Sequence, residues 1–222
     1  VLLITLVAFE ELAATTIMPA VVASFDAAAW YPIASGAALA TQLSATVVAG
    51  ALADWKGPRV VLLSGLALFA VGLVVCAAGS HVTIFVIGRA LQGLGGGLLI
   101  VPLYVLVGAV ASARHRPSFF ASFSLAWVLP SLVGPAIAGH VTEVWGWRYV
   151  FGVVPLFVAI AAVPIAYVLR SLPASRGRRS PMLATLSRDA GLVGTGVMAL
   201  QLAGALPSRL AQIVVFVLGA CI

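Results

Sequence analysis

The sequence predicts an all-α polytopic membrane protein, and three observations carry that expectation. Apolar residues make up 63% of the 222 and charged residues only 8%, far below the roughly 25% that a soluble surface needs. Mean hydropathy is +1.18, and the apolar residues gather into runs near the ~20 positions that a helix needs to cross hydrocarbon. No alternating strand pattern appears in those runs, and a segment in lipid must satisfy its own backbone groups, so each run is read as a helix.

Eight such segments follow in order, over 1–23, 31–53, 60–78, 83–109, 119–141, 149–169, 190–206 and 211–222. The first carries Glu10 and Glu11. A charged turn around Asp54 and Lys56 separates the second and third, and the fourth holds Arg89 beside a run of glycines. The fifth contains Gly134-Pro135, where a missing backbone donor bends the helix, and "WGWRYVF" at 145–151 opens the sixth. A polar, basic stretch follows, then two helices joined by a turn at Pro207. The organisation expected is a six-helix bundle over 1–170, a basic cytoplasmic linker over 171–189 and a helix pair over 190–222. The last run is cut short at Ile222, from which a longer protein is expected.

Charge placement sets the orientation. With the first helix starting in the cytoplasm, that side receives Lys56, Arg59, Arg114, Arg116, Arg170, Arg176, Arg178, Arg179 and Arg188, and the other side only Arg148 and Arg209. The positive-inside rule predicts this bias. An integral protein of the plasma (inner) membrane with its N-terminus inside is therefore expected. The same distribution excludes nucleic acid as a partner, because the basic residues are spread over short loops with no aromatic-interleaved patch. Cys76 and Cys221 show no metal or redox spacing.

Three charges lie where charge is expensive. Glu10, Glu11 and Arg89 sit inside apolar segments, where an ionisable group costs about 2.5–3.5 kcal/mol on insertion scales and marks function by default. Adjacent helix positions point ~100° apart, so at most one of the two glutamates is expected to face Arg89. Desolvation opposes the charged form of such a carboxylate and a nearby guanidinium favours it, so the group can load and release a proton. A simple tie between two helices is the plainer alternative.

Four stretches resemble the major facilitator superfamily and, within it, the drug:proton antiporters. "GALADWKGPR" at 50–59 is similar to the signature cytoplasmic loop G-x-x-x-D-x-x-G-R-[RK] through Gly50, Asp54, Gly57 and Arg59, with Pro58 in place of the first terminal basic residue, Trp55 where the family usually has Arg or Lys, and Lys56 supplying a nearby cation. Arg89, Gln92, Gly93 and Gly95 match the fourth-helix motif R-x-x-Q-G-x-G. "LPSLVGPAIAGHV" at 129–141 resembles the antiporter motif through Gly134, Pro135 and Gly139, with Pro130 and Ala138 replacing two of its glycines. "FEELAATTIMPAV" at 9–21 resembles the first-helix pattern, in which the spacing to Pro19 puts the acidic position on Glu10.

The resemblance implies a proton-coupled antiporter that exports small amphipathic or apolar compounds by alternating access. It also implies no cofactor besides the coupling proton, membrane lipid as surroundings, and a monomer. The helix pair after the linker favours the fourteen-helix branch. Glu10 would carry the proton and Arg89 would tune it. The loop residues Gly50, Asp54, Lys56, Gly57 and Arg59 would form half of a conformational gate. Phe9, Thr15, Met18, Gln42, Tyr104 and Trp127 are candidates for the substrate cavity. A symporter, an importer or a non-transporting sensor on the same fold are the alternatives. A membrane enzyme has only Ser131 and His140 to offer, with no motif behind them.

Overall fold

In this computed structural model the described residues are 1–110, 112, 114–171 and 182–203. They form α1 (Leu2–Ser24), a 3-10 turn (Ala28–Trp30), α2 (Tyr31–Lys56), α3 (Pro58–Ala78), α4 (Val82–Val110), α5 (Arg116–Val144), α6 (Trp147–Ser171) and α7 (Met182–Ala203). The expected segment 211–222, the turn at Pro207 and most of the linker lie outside the described residues. Six helices, α1 to α6, are long and apolar enough to cross a membrane. The fold is an all-α, multi-pass membrane protein. α7 begins at Met182, within the stretch read as linker, so that Arg188 and Asp189 fall in its second turn.

The turns between helices follow from local chemistry. Gly57 ends α2 and precedes Pro58, with φ 86° and ψ 146°, a conformation open almost only to glycine. Proline at the first position of α3 then loses no hydrogen bond, since that N–H has no helical partner in any case. Gly146 closes α5 with φ 96°, and its N–H donates to the carbonyls of Val141 and Thr142, which caps the helix end.

α4 is clasped between α2 and α3, and α1 runs against α5 and α6. Small residues make the clasp. A Cβ added at Gly93 would collide with the Ala38 carbonyl oxygen and the Thr41 hydroxyl of α2, and one at Gly97 with the Gln42 carbonyl oxygen. On the other face, a Cβ at Gly95 would strike the backbone of Phe69 and Gly65 of α3. Lipid gives helices no hydrophobic reason to associate, so close backbone approach of this kind supplies the attraction.

At the end of the bundle away from Lys56 and Arg59, an aromatic cluster ties four helix ends together. The rings of Phe25, Phe85, Trp147 and Phe151 meet edge-on or tilted, with centroids 5.3 to 6.3 Å apart. Trp147 Nε1 donates to Ser24 Oγ at 2.9 Å. The Arg148 guanidinium lies 4.3 Å from the Trp147 ring centroid and donates to the Gly79 carbonyl. This plate fixes the spacing of α1 and α4, the two helices that carry the buried charges.

Candidate functional site

Packing on both faces holds Arg89 inside the bundle, where it is 2% exposed. Glu10 of α1, 1% exposed, meets it: Arg89 Nη1 donates to Glu10 Oε1 at 2.9 Å. One turn further along α4, Gln92 Oε1 accepts from the same Nη1 at 2.7 Å, as an i, i+3 pair on one helix face can. Two buried opposite charges with a polar side chain attached form a site that each partner needs. Removing Arg89 leaves the Glu10 carboxylate without its counter-charge, at a cost of about 3–5 kcal/mol if it stays ionised.

The pair borders a void of about 10 Å³ lined by Val7, Glu10 and Glu11 of α1, Ala38 and Gln42 of α2, Phe69 of α3, and Arg89, Gln92 and Gly93 of α4. Glu11 is partly buried beside Gln42 of α2, which lines the same void. The angular argument therefore holds for the ion pair itself, which Glu10 takes, but not for the surroundings. Glu11 borders the same void and feels the same guanidinium.

The other sequence-predicted residues do not converge on one cavity. Gln42 lines the small void, whereas Phe9 lines a larger apolar cavity of about 710 Å³ between α1, α5 and α6. Met18 is fully buried in the hydrophobic core, which takes it off any surface a substrate could touch in this conformation. The reason is register: it stands four residues past Ala14 and three before Val21, both on the core face of α1. Thr15 is exposed, and its hydroxyl donates to the Leu12 carbonyl at 2.8 Å. Tyr104 is 39% exposed and stacks on Phe120, with centroids 5.8 Å apart. Trp127 packs against the buried cluster of Ile4, Phe123 and Ala126. Pro130, a departure from the helix-five motif, lines the larger cavity, together with Val133, Ile137 and Phe157, which had no signal in sequence beyond being apolar.

The loop and helix-five motifs are distributed as follows. Asp54, Lys56 and Arg59 are exposed around the α2–α3 turn, and Lys56 Nζ lies 5.0 Å from the centroid of the Trp55 ring. A Cβ at Gly50 would meet nothing closer than Val101 at 3.8 Å, so the packing there does not demand glycine. Gly134 seats α5 on Phe9, with an added Cβ 3.5 Å from that ring, while Gly139 has nothing within 4 Å. Pro135 lies inside α5, which continues through it. Ser131 donates to the Val128 carbonyl, and both Ser131 and His140 are exposed. Nine residues of helix separate them by about 13 Å, so they form no catalytic pair.

A family model described as Major Facilitator Superfamily matches residues 1–222. The chain belongs to the Major Facilitator Superfamily. Among curated superfamily relatives, it is 30% identical over 157 residues to the Multidrug transporter protein MdtP of Bacillus subtilis, covering 71% of this chain and 28% of that protein. It is 29% identical over 212 residues to a probable multidrug-efflux transporter of Mycobacterium tuberculosis, covering 94% of this chain and 45% of that one. It is 31% identical over 150 residues to the efflux pump dotC of Dothistroma septosporum, covering 68% and 26%. The chain thus spans less than half the length of these relatives. A crystal structure of the peptide transporter POT in complex with alafosfalin superposes with a TM-score of 0.64 at 19% identity, covering 91% of this chain and 46% of that one. That likeness is one of fold. Family and relatives alike are those of a transport protein in a membrane, not of an enzyme.

Proposed function

We propose that this chain is part of a proton-coupled antiporter that exports small amphipathic or apolar compounds by alternating access. The observation that carries the reading is the Glu10–Arg89 pair, buried between α1 and α4 and joined by Gln92. Apolar packing would tie two helices together at less cost than two desolvated charges. A carboxylate that must be neutral or paired to stay buried fits a group whose protonation is linked to a change of conformation. The relatives' names, a multidrug transporter and an efflux pump, support export as the direction and drugs as the cargo, and the apolar lining of the cavity between α1, α5 and α6 suits apolar compounds.

In this reading Glu10 carries the proton. Arg89 holds the carboxylate while it is charged and releases it once it is neutral. The α2–α3 turn, with Asp54, Lys56 and Arg59 exposed around Gly57 at its positive φ, acts as half of a gate. The basic residues on the connections α2–α3 and α4–α5 support a cytoplasmic location for that end and for the N-terminus, and the reading is completed by a monomer in the plasma membrane. Members of this fold class rock two bundles about a site near the midplane.

The test uses the complete protein in proteoliposomes, with amphipathic dyes such as ethidium. Dye should move against its gradient when a pH gradient is imposed. Glu10→Gln should abolish that movement and leave passive exchange intact. Full gradient-driven transport by Glu10→Gln would remove Glu10 as the carrier.

A further inference from the structure

Charge bookkeeping at the buried site does not close with Glu10 and Arg89 alone. One guanidinium faces two carboxylates, since Glu10 and Glu11 both feel Arg89. Two polar atoms there have no protein partner although both are buried: Glu11 Oε2 and Arg89 Nε. Their residues line the same void of about 10 Å³, close to the ~10–15 Å³ in which one water can sit. The Arg89 side chain is 98% buried (2% exposed), so bulk solvent does not satisfy its Nε–H. A buried donor or acceptor left unmade is costly, and a polar site of this size with several convergent groups suits a bound water.

Among the described residues, the remaining neighbours offer no other counter-charge. α2 contributes Gln42 and α3 contributes Phe69 to the lining, and α5 and α6 contribute nothing to it. Cys76 of α3 is the nearest further titratable group, and its thiol contacts the Phe85 carbonyl. Two ionised glutamates would leave the cluster at net −1, and two neutral ones at net +1. It is neutral when the acids hold one proton between them.

We propose that Glu10 and Glu11 form a carboxyl pair that shares one proton over Arg89 through a single bound water. The water accepts from Arg89 Nε–H and from Glu11 Oε2–H, and donates toward Glu10. Transfer moves the proton from Glu11 Oε2 to the water oxygen while a water hydrogen passes to the Glu10 carboxylate. An O–H bond breaks at Glu11 Oε2, one forms and one breaks at the water oxygen, and one forms on the Glu10 carboxylate; the water is regenerated, and the charge of the cluster is unchanged. Glu11 is partly exposed whereas Glu10 is sealed, so Glu11 is the acid that a proton from solvent reaches first. Glu11 is thus a relay residue and Gln42 positions it. This deepens the proton-carrier reading of Glu10 and rests on that reading for its role in transport.

Infrared difference spectra of the complete protein reconstituted at pH 7 test the sharing without needing a substrate. Wild type should show a protonated-carboxyl stretch that shifts in D2O and is lost in both Glu11→Gln and Glu10→Gln, because either variant leaves one acid to pair with Arg89. An O–H stretch that shifts in heavy-oxygen water should vanish in Glu11→Gln. Glu11→Gln retains the ion pair and so should fold, and Glu11→Asp should restore a carboxyl band. A band that survives Glu10→Gln, or a wild type without one, overturns the shared proton. If the bands behave as expected but Glu10→Gln still transports against a gradient, the pair stands and the antiport reading fails. If Glu10→Gln is inactive but the band survives it, the reverse holds.

Discussion

Replacing Arg89 by Met removes the cation and keeps most of the apolar stem, which isolates the electrostatic part of the site. Glu10, 1% exposed, would then be buried without a partner. A lone buried carboxylate takes up a proton rather than stay ionised. Neutralising a carboxylate of ordinary acidity, near 4.3, costs about 3.7 kcal/mol at pH 7 and about 1.0 kcal/mol at pH 5, at 1.36 kcal/mol per pH unit. The folded variant would hold one more proton than folded wild type over this range, so its destabilisation relative to wild type shrinks as pH falls. Loss of the contact with Gln92, a hydrogen bond to a charged group, adds about 1.5–3 kcal/mol at either pH. The assay is thermal unfolding in detergent at both pH values. The destabilisation relative to wild type should shrink by roughly 2.7 kcal/mol between pH 7 and pH 5. Combining the variant with Glu10→Gln should recover most of the pH-dependent part. Equal destabilisation at both pH values, or none, would refute the reasoning.

Other expectations concern packing and turns. Gly93→Val and Gly95→Val push side chains into the backbones of α2 and α3 and should each cost about 1–3 kcal/mol or more, while Gly139→Ala, with nothing within 4 Å, should leave the melting temperature unchanged. Gly57→Ala forces φ 86° on an L side chain and should destabilise by about 1–3 kcal/mol, read as lower yield of folded protein and an earlier melt. Trp147→Phe keeps the ring cluster but loses the donor to Ser24, so a loss of about 1 kcal/mol is expected in the same assay.

Much of this was legible in the chain. Of the eight apolar runs, the first six became α1 to α6 and most of the seventh lies in α7, because in lipid a run of that length has no other way to satisfy its backbone. Arg89 and Glu10 stood out because charge is so rare inside those runs, and the structure brings them together. Glu11 was underrated on the ~100° step between neighbours. A glutamate side chain is long enough to lean back toward the void, which Gln42 of α2, far off in sequence, lines as well. Met18 was offered as a cavity residue for its soft, polarizable side chain. Which face of α1 is core depends on α5 and α6, and an apolar helix with so little contrast between its faces does not say. The cavity between α1, α5 and α6 was illegible for the same reason: its lining is ordinary Val, Ile, Leu and Phe.

The central claim is that Glu10 holds a proton that transport exchanges for cargo, and proton release on binding measures this most directly. The complete protein in weakly buffered detergent solution is titrated with ethidium while pH is followed. Wild type should release protons as the dye binds, and Glu10→Gln should bind dye without releasing any. Equal release from Glu10→Gln, or proton uptake in place of release by the wild type, would contradict the account.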